Sequence, residues 1–303
     1  MNATLPLFAT QQTKQFHFEG NLPHQQRAVD SILAVLETVT FTKPNQQMAL
    51  VSNPLAPKDK QLALSAYAKS IEAVQKHNEI LGHIAKPESN VLDISMETGT
   101  GKTYTYTKMM FELNARLKLF KFIVVVPTLP IKAGTVNFLK SQASQEHFET
   151  NYQNKSIRCH IVESQSSKKS KKDLMPQSIL DFVQAPNDGQ TIHILVINAG
   201  MINSDTLSKK YDRAVFDQFN TPFEAIASIA PMIIIDEPHR FSTAQKTWGN
   251  IQKLGGQFIV RYGATFNEDY SNLIYQLTAV DAFNQDLVKG VVAYIEEFAG
   301  AKD

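Results

Sequence analysis

The chain has 303 residues, of which 43% are hydrophobic and 19% charged, the profile of a globular protein with a sizeable core and not of a disordered segment. Thirty Lys and Arg against twenty-nine Asp and Glu leave a formal charge of +1, which excludes a polycation but leaves room for a local basic groove. One cysteine, Cys159, excludes an internal disulfide and a zinc site built on paired thiolates, and points to a reducing compartment.

The first twenty residues carry neither a basic n-region nor a long apolar run, so no signal peptide is expected. No stretch approaches the ~18 apolar residues that span a bilayer. The expectation is a cytoplasmic protein with no membrane contact.

Residues 40–60 hold three prolines among polar residues and read as a loop before a helix at about 61–84. A first short apolar run follows at 91–95 (VLDIS), then a glycine-rich stretch and a helix at 102–119. Further runs lie at 122–126 (FIVVV), 157–162 (IRCHIV), 192–197 (IHILVI), 232–236 (MIIID) and 258–262 (FIVRY). The basic stretch 164–172 (SQSSKKSKK) reads as an exposed loop, 186–190 (PNDGQ) as a turn, and 223–230 as a helix. Near-continuous apolar runs of this length suit parallel strands covered on both faces. Their alternation with helices predicts an α/β fold, a mostly parallel sheet of about six strands flanked by helices. The expected organisation is an extension over 1–20, one domain over 21–270 with insertions near 40–60 and 164–190, and a helical stretch over 271–303 that starts a linker or second domain.

After the first run comes Met96-Glu97-Thr98-Gly99-Thr100-Gly101-Lys102-Thr103. Gly99 and Gly101 allow the backbone to turn with its N–H groups inward, and with Thr98 and Thr100 they would cradle phosphate at the start of a helix. Lys102 would reach the β- and γ-phosphates of ATP, and the Thr103 hydroxyl would ligate Mg²⁺. A surface string could hold these residues by chance, but the strand before it and the helix after it argue for a phosphate loop. Met96 stands where the pattern G-x-x-x-x-G-K-[ST] has its first glycine.

The run at 232–236 ends in Asp236-Glu237-Pro238-His239. A parallel strand delivers these acids to the carboxyl edge of the sheet, where open α/β folds bind ligands. Asp236 would hold Mg²⁺ and Glu237 would polarise the attacking water as general base. The bland alternative, two solvated acids after a buried strand, loses ground once the phosphate loop is present. The order of this string suggests His239 as a sensor between the γ-phosphate site and its neighbours.

These strings resemble the ordered motifs of a superfamily 2 helicase or translocase. METGTGKT is a variant such helicases use; LPHQQRAV at 22–29 resembles the glutamine motif that reads adenine, which implies Gln25 as reader; and GATF at 263–266 resembles the S-A-T motif, which implies a coupling role for Thr265. His24 departs from the aromatic often found before that glutamine. PTLPIK at 127–132 sits where the first DNA-contacting motif belongs, which makes Thr128 and Lys132 candidates for the phosphate backbone. For Thr128 a helix cap is an equally good reading.

Taken together, ISMETGTGKTYTYTKMMFELN, VVVPTLPIKAGT, IIIDEPHRF and RYGATF look like the Res subunit of type III restriction enzymes, over about residues 22–298. The resemblance implies a RecA-like domain, a DNA-dependent ATPase or translocase acting on double-stranded DNA, and a Mod methyltransferase partner that recognises the site and alone uses S-adenosylmethionine. No acid stands two residues before a lysine and no D-P-P-Y string occurs, so the nuclease and methylation chemistry are not expected on this chain. Nor is a second motor domain, so turnover by the chain alone is expected to be weak or absent. Two other readings stay open: a non-catalytic nucleotide-binding interaction module, and the motor domain of another superfamily 2 enzyme such as a type I restriction or repair helicase.

Overall fold

The computed structural model describes residues 22–44, 51–57, 60–163, 175–211, 219–241, 246–266 and 270–288. The helices are α1 (Pro23–Leu36), α2 (Lys60–His77), α3 (Lys102–Leu117), α4 (Leu129–Lys140), α5 (Gln142–Asn151), α6 (Gln177–Val183), α7 (Ala199–Ile202), α8 (Asp205–Ser208), α9 (Pro222–Ser228), α10 (Lys246–Gln252) and α11 (Ala279–Asn284). The strands are β1 (Val91–Met96), β2 (Lys121–Val126), β3 (Ser156–Ile161), β4 (Thr191–Asn198), β5 (Met232–Asp236), β6 (Ile259–Gly263) and β7 (Leu273–Leu277). No helix among the described residues is long and apolar enough to cross a membrane.

The seven strands form one sheet in the order β3-β4-β2-β5-β6-β1-β7, and every pairing is parallel. Each apolar run divides by its alternation between two cores. Phe122, Val124 and Val126 of β2, with Ile234 and Tyr262, face α1, α2 and α3. Ile123 and Val125, with Ile233 and Ile235, face α6, α9 and α10. Strands β1, β2 and β5 are buried throughout, which is why β2 and β5 read as near-unbroken apolar runs, while β1 buries Asp93 and Ser95 among its apolar residues. The result is a RecA-like α/β sandwich.

All six expected strands are present. The chain beyond 270 departs from the helical expectation: Leu273–Leu277 is a seventh strand, paired with β1. Only Gln276 of that strand is exposed, so it lies at a sheet edge covered on both faces. A bulge between Asp93 and Ile94 sets its register, with the Asp93 N–H donating to the Asn272 carbonyl at 2.7 Å. Helix α11 follows, and residues 289–303 lie outside the described part.

The 40–60 insertion is described only in part. Residues 51–57 close the amino edge of the sheet, where fully buried Asn53 donates to the Lys121 and Ala230 carbonyls. Its Oδ1 accepts from the N–H groups of Phe120 and Lys121. The 164–172 basic loop lies outside the described residues.

Candidate functional site: a phosphate loop facing an acidic strand end

Three strand ends meet at the carboxyl edge. β1 delivers the glycine-rich loop, β5 delivers Asp236 and Glu237, and β6, lying between them, delivers Gly263-Ala264-Thr265. Gly99 and Gly101 have φ of +86° and +87°, conformations that only glycine adopts without strain. Gly101 is the N-cap of α3, so the turn ends on the amino terminus of a 16-residue helix.

Helix α1 holds the loop from outside. The Gln25 Nε2 donates to the Thr100 carbonyl at 3.2 Å, and the His24 Nε2 lies 2.9 Å from the same oxygen. Both side chains are buried, and burial pulls the His24 imidazole below its usual pKa, so the neutral ring donates there. Gln25 keeps a buried Oε1 without a protein partner, at the wall of the cleft.

Lys102 is 8% exposed, with its Nζ 3.3 Å from Glu237 Oε1. The other carboxylate oxygen of Glu237 lies 3.3 Å from His239 Nδ1. Glu237 itself adopts a left-handed backbone (φ +56°, ψ +61°), costing about 1 kcal/mol for a non-glycine residue. Its N–H donates to the Tyr262 carbonyl at 3.0 Å, and that bond fixes the acidic turn to β6. Asp236 is buried, and its Oδ1 has no protein partner. Burial, then the neighbouring Glu237, pushes its carboxyl up to about 6, while Lys102 pulls the other way.

A cleft of about 490 Å³ joins these groups. Gln25, Thr98, Gly99, Gly101, Lys102, Thr103, Asp236 and Glu237, all singled out in the sequence, line this one cleft. Leu22, Tyr104, Ile131 and Phe138 form an apolar wall that the sequence reading missed, because nothing in their spacing marks them. A somewhat larger groove, about 580 Å³, lies between α1 and α2 by Arg27, Lys69 and Asn78, but has no comparable convergence of phosphate-loop and acidic groups. The orphaned buried carboxylate oxygen of Asp236 and the threonine Thr103 line the same cleft, and such hard-oxygen donors fit Mg²⁺.

Some expected residues are placed differently. Thr100 turns inward, its hydroxyl donating to the Glu97 carbonyl at 2.6 Å, so its contribution is to loop shape. Thr128 is exposed and caps α4 through Ile131. Lys132 is buried, with its ammonium on the Val162 carbonyl, and presents no charge to a DNA phosphate in this arrangement. The reason is local: α4 turns Lys132 onto the sheet side, next to β3 and β4. Thr265 is exposed just beyond β6.

Fold and site together define a P-loop ATPase domain of the RecA-like, helicase type. Residues 21–268 match the family model for the type III restriction enzyme Res subunit, and the chain belongs to that family. Among curated proteins it is 52% identical over 287 residues to the EcoP15I Res subunit of Escherichia coli and 51% identical over 286 residues to the EcoPI Res subunit of Escherichia phage P1. Each match covers 92% of this chain and 29% of the relative. The StyLTI Res subunit of Salmonella typhimurium (strain LT2) is 37% identical over 257 residues, 77% of this chain and 26% of that one. The chain thus spans under a third of the length of these relatives. A solved structure of the Type ISP enzyme LlaGI, a nuclease-deletion mutant with a DNA substrate mimic, matches 73% of this chain and 20% of that one at 19% identity and TM-score 0.43, too loose a likeness to add to the topology.

Proposed function

We propose that this chain binds Mg·ATP in the β1–β5 cleft and carries the hydrolytic half of a DNA-dependent motor. The observation that carries the reading is the 3.3 Å approach of Lys102, at the start of α3, and Glu237, just after β5, across the cleft. Backbone N–H groups of the glycine loop and the Lys102 ammonium receive the phosphates. Thr103 and Asp236 are the Mg²⁺ ligands, and the metal would supply charge neutralisation at the phosphates. Gln25, with its orphan Oε1 at the wall, reads the base.

Glu237 is the general base. In the structure its carboxylate is held by Lys102 and His239, so a polyphosphate drawing on Lys102 leaves one carboxylate oxygen for the attacking water. His239 senses that change and Thr265 passes it to the elements after β6. The double-stranded DNA substrate and the Mod subunit partner are read from the family, with Thr128 the exposed candidate for a phosphate contact; the site of action is the cytoplasm. Arginine fingers are worth ~10³–10⁵ in rate in related phosphoryl-transfer enzymes, and superfamily 2 motors take theirs from a second RecA-like domain. No arginine lines the cleft among the described residues, so these 303 residues on their own are expected to bind nucleotide and to turn it over slowly.

The test is a fluorescent-ATP titration of the chain with Mg²⁺, beside a DNA-stimulated ATPase assay. Binding is expected in the micromolar range or tighter and should weaken by about a hundredfold in Lys102→Ala, the loss of a buried charge-assisted contact. Identical titrations for the two proteins would remove the site assignment. Brisk DNA-stimulated turnover by the chain alone would remove the need for a second domain.

A further inference from the structure

Gly263 ends β6 and Pro238 follows the general-base candidate, and the two are in contact. A Cβ built on Gly263 would lie 2.6 Å from Pro238 Cδ, 2.9 Å from Pro238 Cγ and 3.2 Å from the Thr265 carbonyl oxygen. The first two distances are shorter than real side chains tolerate, so residue 263 is a glycine for want of room. The pyrrolidine ring cannot swing aside as a flexible side chain could. It is held by the Phe241 N–H on the Pro238 carbonyl at 2.9 Å and by the Arg240 N–H on the Glu237 carbonyl at 3.1 Å. The Glu237 N–H on the Tyr262 carbonyl ties the same turn to the residue before Gly263. The ring can leave its seat only by carrying Glu237 with it.

We propose that Pro238 and Gly263 are a matched positioning pair. The missing side chain at 263 is the seat for the proline ring. The ring in that seat holds Glu237 in its left-handed conformation, with its carboxylate 3.3 Å from Lys102. A serine at 263 needs a smaller residue at 238; either change alone leaves a clash or a gap under the catalytic turn. Only the nucleotide readout of this inference rests on the Mg·ATP reading.

The experiment is a cycle of four chains: wild type, Gly263→Ser, Pro238→Ala and the double variant. Each is titrated with a fluorescent ATP analogue, with Mg²⁺ and in EDTA, and unfolded thermally without nucleotide. Gly263→Ser should weaken Mg·ATP binding by about tenfold, the lower range for overpacking a rigid contact, and lower Tm. The EDTA titration should move less, because the glycine loop is untouched. Pro238→Ala should have the smaller effect, and the double variant should lie nearer wild type than Gly263→Ser in affinity and Tm. Wild-type behaviour of Gly263→Ser, or a double variant no better than it, overturns the pair. If Gly263→Ser yields no folded protein, recovery of folded protein in the double variant supports the pair and its failure overturns it. If wild type binds no Mg·ATP, the cleft reading fails, and the thermal cycle judges the pair by the same rescue criterion.

Discussion

Glu237 lies between Lys102 and His239, each 3.3 Å from one of its carboxylate oxygens, and that position shapes what its replacement does. With 8% exposure at Lys102 and 21% at Glu237, their ion pair is shielded from solvent screening on one side. On the proposed reading, incoming phosphate would compete with Glu237 for the same ammonium. Glu237→Gln removes the competitor and leaves Asp236 for the metal, so Mg·ATP should bind tighter, by up to about tenfold at low salt. Any hydrolysis by the chain should fall below detection. The measurement is the same titration at two ionic strengths, and a weaker affinity in Glu237→Gln would show that this carboxylate holds the nucleotide and does not compete with it. His24 illustrates what a motif comparison leaves out. Where related motifs place an aromatic, this chain has a neutral imidazole bonded to the Thr100 carbonyl, a contact that depends on the third dimension and has no signature in spacing.

At the level of elements, the strand feeding the phosphate loop is bolted to the strand feeding Gly263-Ala264-Thr265. Asp93 of β1 receives Arg261 of β6 through two bonds, Nε to Oδ1 at 2.6 Å and an Nη to Oδ2 at 2.9 Å. Both side chains are buried, and the guanidinium also lies over the rings of Trp248 and Phe266 at 5.8 and 5.5 Å. Asp93 Oδ2 further accepts the Ser271 N–H at 2.6 Å, so the start of the β7 segment is tied to the same carboxylate. Arg261→Met strands a buried carboxylate and should cost about 3–5 kcal/mol in urea unfolding. Adding Asp93→Leu should return much of that loss, because an apolar pair of similar volume replaces a buried ion pair at little cost. A double variant as unstable as the single would mean that the shape of the pair matters more than its charge.

Of the six strands from β1 to β6, β2 and β5 were the most legible, as β-branched runs buried on both faces, while the edge strand β3 is only half-buried. β7 was not: LIYQL is short, interrupted by an exposed glutamine, and begins at a bulge fixed by Asn272, a long-range contact. The phosphate loop and the acidic turn were legible because their chemistry demands adjacent residues. The apolar wall at Tyr104, Ile131 and Phe138, and the inward turn of Lys132, arise from how α3 and α4 pack, which no local string encodes.

Across the whole molecule the two edges of the sheet divide their tasks. The carboxyl edge keeps Gln25 Oε1 and Asp236 Oδ1 without protein partners at the cleft, while the amino edge is packed with buried polar groups that are mostly hydrogen-bonded. There fully buried Lys121 donates from Nζ to the Val51 and Val183 carbonyls at 2.8 and 2.7 Å. His160 and His193 sit beside it, 3.2 Å apart between Nε2 and Nδ1. Burial pushes both imidazoles down to about 4, His160 being opposed further by His193 and Arg158, and His193 by Lys121 and Arg158. Asp181 and Asp188 act against these shifts without cancelling them. A base with a lowered folded pKa binds fewer protons folded than unfolded, so stability rises with pH between about 4 and the unfolded value of about 6.5. It is lost as pH falls through that window. Burial also pushes Lys121 down to about 7, which adds the same sign of slope between about 7 and 10.5. The chain should therefore lose on the order of 3 kcal/mol of unfolding free energy between pH 6.5 and 4.5 from the two histidines, less than their full shifts allow because they share one site. Carboxylates elsewhere titrate in part of this range, so the informative quantity is a difference. Urea unfolding of wild type and of His160→Gln/His193→Gln, at pH 4.5, 5.5 and 6.5, should give curves that converge as pH falls, because the glutamines cannot take up the protons. Parallel curves would mean that the histidines bind the same number of protons folded and unfolded, and so are not shifted by burial.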